Sequence, residues 1–197
     1  MKRKLLLVAS LAICVATIAT GTLAYFSAED KAHNVITTNG ISIAIEEWQE
    51  TDSGALEEYP KDEPIKIMPG TVVSKIATVR NLQTESYIRA KVEVVFSKGS
   101  PSNAMELSEE TLARLVTVKI NDDDWVRKAG DTEWWYYKDT VKTGGATTPL
   151  FEEVRFSGPN MTNEYQDCTI EVNVSAEAVQ AANNKASATN ALGWPTE

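Results

Sequence analysis

The chain holds one histidine, His33, and two cysteines, Cys14 and Cys168. That poverty excludes several kinds of chemistry. A zinc peptidase needs two or three imidazole or carboxylate ligands and a glutamate base, commonly as His-Glu-x-x-His on one face of a helix. His33 is followed by Asn34 and has no second imidazole to join it. A zinc site made of carboxylates alone suits a borderline-soft ion poorly. A Cys-His nucleophile would have to unite Cys168 with that single ring, yet Cys168 opens an apolar alternating stretch, where it reads as a small packing side chain. No glycine-rich phosphate loop is present either. Thr143-Gly144-Gly145 lacks both the spacing and the following lysine, and reads as a hairpin turn. The expectation is a chain with no catalytic residues, no metal site and no cofactor.

Cations are scarce as well, with 19 Lys plus Arg against 28 Asp plus Glu. The first 24 residues take three of those cations and no acid, so the remainder carries 16 against 28, a net charge of −12. Such a product is repelled by nucleic acid and by anionic lipid surfaces. Itself, cations and cationic cell-wall components are the partners left open.

Residues 1–24 have three parts: Lys2, Arg3 and Lys4, then an apolar run over 5–18, then small residues ending at Ala24. This is the build of a secretory signal peptide, with Thr22 and Ala24 at the two positions that must be small for a cut between Ala24 and Tyr25. The apolar run also approaches the roughly 20 residues of a permanent anchor, although Thr17, Thr20 and Thr22 weaken its end. Cys14, in the middle of the run and not at the cut, reads as a small apolar residue. Uncleaved, the chain meets the membrane only through this segment; after cleavage about 173 residues remain. That is one domain's worth, and with Cys168 its only cysteine it must be stable from packing alone.

The body is written in period two. Ile41, Ile43 and Ile45 alternate, and so do Ile88, Ala90, Val92, Val94 and Phe96, with Arg89, Lys91 and Glu93 between them. Further strands are expected over 73–81, 115–120, 133–137, 150–157 and 168–178. Turn chemistry separates them at Pro69-Gly70, Lys98-Gly99-Ser100-Pro101, Asn121-Asp122-Asp123-Asp124, Thr143-Gly144-Gly145 and Ser157-Gly158-Pro159-Asn160. One short helix is expected over 108–114, with Ser108 as N-cap and Glu109 and Glu110 in its first turn. Many short amphipathic strands and almost no helix imply an all-β chain, an antiparallel β-sandwich of jelly-roll type. The acidic stretch 46–63 and the tail after Gln180, rich in Ala, Asn, Ser and Thr, read as flexible.

Two clusters have double readings. On a strand, Trp134 and Tyr136 face one side, and Trp135 and Tyr137 the other. One pair enters the core; the second, candidate surface aromatics Trp135 and Tyr137, either stacks on a sugar or partner, or packs across strands within the sheet. Asp122-Asp123-Asp124, with Asp131 nearby, offers oxygen ligands that suit calcium. Its spacing matches no calcium loop, and such residues also build plain solvated turns.

Several segments together resemble a known family. Gly21-Thr22-Leu23-Ala24-Tyr25-Phe26-Ser27, followed by Asn34-Val35-Ile36-Thr37-Thr38-Asn39-Gly40-Ile41-Ser42-Ile43, resembles the export signal and first strand of the TasA and camelysin family of bacterial surface and biofilm-matrix proteins. Met68-Pro69-Gly70 and the strand ending at Asn81 are similar to that family's Pro-Gly turn and the strand it leads into. Trp125, Trp134-Trp135-Tyr136-Tyr137-Lys138 and Thr147-Thr148-Pro149-Leu150-Phe151 resemble a pattern of clostridial-type members. Tyr165-Gln166 and the stretch from Ile170 to Gln180 look like the family's last strand and its Glu-Ala-x-Gln ending.

The resemblance implies processing by a dedicated signal peptidase, export from a Gram-positive cell and, in the TasA branch, a jelly roll that polymerises into matrix fibres. In such fibres the freed N-terminal segment of one subunit completes a sheet of the next. An open sheet edge presents unpaired N–H and C=O groups that an extended peptide satisfies, and a head-to-tail contact that does not close propagates as a filament. The expected organisation is a signal peptide over 1–24, a candidate donor strand over 25–34 with Tyr25, Phe26 and Ala28 as slot fillers, a jelly-roll domain over 35–180 and a flexible tail over 181–197. A donor segment that is simply a disordered terminus is the plain alternative. The expected function is a secreted, non-enzymatic subunit of cell-surface or biofilm fibres, alone or with accessory matrix components. A monomeric surface-binding module is the rival, and a camelysin-type metallopeptidase conflicts with the ligand poverty above.

Overall fold

Two 13-residue strands, Ser86–Lys98 (β6) and Cys168–Gln180 (β11), pair antiparallel along their whole length, from Cys168 opposite Lys98 to Gln180 opposite Ser86. Their alternation explains the ladder. Ile88, Ala90, Phe96, Val174, Ala176 and Ala178 are buried in one core, with Val92, Val94, Ile170 and Val172 packed against it. The computed structural model describes residues 27–31, 34–35, 40–60, 68–98, 103–165 and 168–195. The region read as a signal peptide lies outside the described residues.

Around this pair a six-stranded sheet has the order β2-β1-β11-β6-β9-β8, where β1 is Ser27–Lys31, β2 Asn34–Val35, β8 Trp125–Arg127 and β9 Trp135–Tyr137. A five-stranded sheet has the order β4-β3-β5-β10-β7, with β3 Ile43–Glu50, β4 Leu56–Glu58, β5 Val72–Asn81, β7 Val116–Val118 and β10 Phe151–Phe156. All pairings are antiparallel. The shared core joins both sheets, since Ile43, Ala77, Val79, Phe151 and Val154 of one meet Ile88, Phe96, Trp125 and Val174 of the other. The chain is therefore an all-β sandwich. Its one described α-helix, Glu109–Leu115 (α1), is capped by Ser108, whose Oγ accepts from Thr111 N at 3.2 Å.

Corners between sheets are held by polar groups with no apolar substitute. Asn81 is fully buried at the end of β5; its Nδ2 donates to Thr84 O and Val141 O, both at 2.7 Å, and its Oδ1 accepts from Gln83 N at 3.2 Å.

Two stretches read as flexible have described structure over most of their length. The acidic stretch is a hairpin from Glu46 to Glu58: β3 and β4 pair around a turn in which Thr51 N donates to Ala55 O at 2.8 Å. The acids are offset by cations of β5, with Lys75 Nζ 2.7 Å from Glu47 Oε1 and Arg80 forking onto both carboxylate oxygens of Glu46. The stretch's own composition shows only its carboxylates, because Lys75 and Arg80 come from β5 and only the fold sets them across from it. The tail, described from Ala181 to Pro195, is packed on the outer face of the six-stranded sheet. Ala188 and Ala191 are buried against Tyr87, Trp134, Tyr136 and Val179, with Trp194 packed beside them.

Candidate assembly site

The outer edge of β11 is where the N-terminal segment sits. β1 pairs with it antiparallel over five residues, Ser27 opposite Val179, Ala28 opposite Ala178, Glu29 opposite Glu177, Asp30 opposite Ala176 and Lys31 opposite Ser175. The rest of that edge, from Cys168 to Val174, has no described strand opposite it. The sequence Ser-Ala-Glu-Asp-Lys is a weak strand former, so the pairing rests on backbone hydrogen bonds offered by a rigid neighbour more than on the segment's own propensity. Of the candidate donor residues, Ala28 falls in this strand; Ala24, Tyr25 and Phe26 lie outside the described residues, as does His33.

On the same sheet, beneath the tail, one guanidinium organises the face. Arg89 of β6 stands in register between Glu177 of β11 and Tyr136 of β9. Its Nε donates to Glu177 Oε2 at 2.7 Å, its Nη1 to Tyr136 Oη at 3.2 Å and its Nη2 to Pro195 O at 3.0 Å. The guanidinium lies 4.3 Å from the Trp134 ring and 4.9 Å from the Trp194 ring, so indoles from β9's approach and from the tail flank one cation. Arg89 and Glu177 are 8% and 3% exposed, which makes this a buried pair whose remaining donors are also used. Tyr136 Oη donates to Asp131 Oδ2 at 2.8 Å, and burial pushes its phenol pKa up, keeping it a donor. Trp194 closes the arrangement, edge-on to Tyr136 at 5.6 Å and donating from Nε1 to Ala188 O at 3.3 Å.

The sequence reading missed Arg89, Glu177 and Trp194. The available signal was Trp194 itself, a large indole in a stretch of small residues where a solvated tail has no use for one.

The aromatic cluster divides as alternation requires, but neither pair is a bare surface. Trp134 and Tyr136 face outward and are covered by the tail, at 6% and 1% exposure. Trp135 and Tyr137, the candidate surface aromatics, are half-buried and pack against the main core. Arg127 lies 4.3 Å over the Trp135 ring, and Tyr137 meets its register partner Trp125 at 5.1 Å. Both rings are used in cross-strand packing.

The aspartate turn is filled from within. Lys138 Nζ donates to the carbonyls of Asp122 and Asp123 at 3.0 and 2.5 Å, so an ammonium already takes these two backbone oxygens of the turn. Asp124 Oδ2 accepts from the Thr148 hydroxyl at 2.7 Å and from Asn121 Nδ2 at 3.1 Å. These donors hold its carboxyl below the usual range, the Thr148 hydroxyl contributing most. Among the described residues no group of three or more His, Cys, Asp and Glu side chains is placed to hold a metal ion. Cys168 is a half-buried free thiol 3.6 Å from Met105 Sδ.

Fold and edge together define a class: an all-β sandwich of two antiparallel sheets, one of which is extended at its edge by a short N-terminal strand. No family model matches the chain, and no curated protein or solved structure matches it.

Proposed function

We propose that the protein is a secreted, non-enzymatic structural subunit of a cell-surface or biofilm fibre, a jelly roll released by a cut between Ala24 and Tyr25 and assembled head to tail through its N-terminal segment. One observation carries this reading: Ser27–Lys31, inside the candidate donor segment, is a strand on the edge of β11. The same five-residue register can be satisfied by β1 of another copy, because every pair within the chain has an equal counterpart between chains. Exchange then trades one set of backbone hydrogen bonds for an identical set, and since donor and acceptor are different surfaces the contact is head to tail and propagates wherever the rotation between copies does not close. The repeated crossings of the chain between sheets agree with a jelly roll, and the net charge of −12 expected after cleavage agrees with partners other than nucleic acid.

The test is covalent trapping. In a Cys168→Ser background, Ser27→Cys and Val179→Cys are made in separate preparations of the exported form and mixed under assembly conditions. Disulfide-linked dimers that require both variants are expected, together with loss of filaments when residues 25–34 are deleted. Normal filaments without that segment would overturn the mechanism.

A further inference from the structure

Both described ends of the chain converge on the last third of β11. Ser27 stands opposite Val179, and Val179 is fully buried in the cluster closed by Ala188, Ala191 and Trp194. Glu29 stands opposite Glu177, whose carboxylate is fixed by Arg89, and Arg89 is in turn held by Pro195 O and the Trp194 ring. The tail leaves β11 directly after Gln180 and folds back over it. Ala181 N donates to Glu85 O at 3.0 Å, and Asn184 ties Gln180 O to both Leu192 N and Leu192 O. A strand is only as good a template as its own backbone is rigid, and the tail is what pins this end of β11 from outside the sheet.

We propose that the segment over 181–195 is a clasp on the seat of β1: with Trp194 and Pro195 closed over Arg89, the edge over Ser175–Val179 is stiff and β1 is retained, and opening the clasp loosens that edge and frees β1. The part played by β1 in joining copies rests on the preceding reading; the clasp itself does not. The seat and the clasp share Val179 and Glu177, so loss of tail contacts reaches β1 through two residues and leaves the five-stranded sheet, on the far side of the core, untouched. Local opening of this kind is measured by amide hydrogen exchange.

The experiment is exchange followed by mass spectrometry on the exported protein, comparing the parent with Trp194→Ala and Trp194→Phe. Trp194→Ala is expected to speed exchange in peptides covering 27–31 and 175–179 by about tenfold, the scale of losing an aromatic pair and a cation–π contact. Peptides from Val72–Asn81 keep their parent rates. Trp194→Phe retains a ring on Tyr136 and Arg89 but not the donor to Ala188 O, and falls between the two. Unchanged exchange at the β1 seat overturns the clasp. Uniform acceleration through both sheets, or loss of the fold, also overturns it, because the tail then acts only on global stability. Filament growth is followed in parallel. Absence of filaments from parent and variant alike would count against the assembly reading and leave the clasp standing, whereas filaments with an unaltered seat would count against the clasp alone.

Discussion

Asp131, beside the Arg89 cluster, gathers three donors. Its Oδ1 accepts from Glu133 N at 3.1 Å and Trp134 N at 3.0 Å, and its Oδ2 from the Tyr136 hydroxyl at 2.8 Å. Partial burial pushes its pKa up, but the three donors, with Arg89 nearby, outweigh that and hold it below the ordinary carboxylate value. A carboxyl with a depressed folded pKa adds stability above its unfolded value, near about 4, and loses it as pH falls through the folded one. Asp131→Asn keeps the shape and removes the charge. It should therefore unfold at lower urea concentration than the parent at pH 7, with the two midpoints drawing together as pH drops from about 4 toward 2. A midpoint difference that persists unchanged into acid would show that lost geometry, and not the charge, is responsible.

At the scale of elements, the turn that starts β5 shows what a local signal can carry. Pro69 and Gly70 form a type II turn closed by Thr71 N donating to Met68 O at 3.0 Å, and Gly70 has φ of +84°. A Cβ on Gly70 would meet only Gly158 Cα, at 3.9 Å, an ordinary contact, so the cost of Gly70→Ala is backbone alone. About 1–2 kcal/mol of stability is the expected loss by denaturant titration, and a neutral substitution would mean that the turn relaxes to another type. This turn, the cap of α1 and the faces of β6 and β11 were legible in the sequence because each depends on residues close in the chain: a Pro-Gly pair, a serine three before Thr111, an alternation of period two. β4 and β8 were not legible. Leu56–Glu58 has two glutamates in three residues and is a strand only because β3 lies beside it, and Trp125–Arg127 is three residues taken into the sheet by β9. The tail and the Arg89 cluster were hidden for the same reason on a longer scale, since Arg89, Glu177 and Pro195 are 88 and 106 residues apart along the chain. The candidate donor segment was visible as a stretch, through the cut expected before it, whereas its seat on β11 required the fold.

For the molecule as a whole, charge decides how copies meet. The full chain carries −9, and the form lacking residues 1–24 would carry −12. Copies brought head to tail as proposed must approach against that repulsion, while the β1 pairing that joins them is made of backbone hydrogen bonds and is nearly indifferent to salt. Screening should therefore act on encounter and not on the joint. Raising ionic strength from 0.01 to 0.1 M shortens the Debye length from about 30 to about 10 Å, less than the width of the sandwich. The lag before the proposed filament growth, read by light scattering on the form lacking residues 1–24, is expected to shorten severalfold over that range, with the dissociation rate of finished filaments on dilution little changed. The two rates separate the mechanisms. A lag that lengthens with salt would mean that copies attract through ion pairs across the contact, and a dissociation rate that climbs with salt would place those pairs in the joint itself, in conflict with a seat held by the backbone of β11.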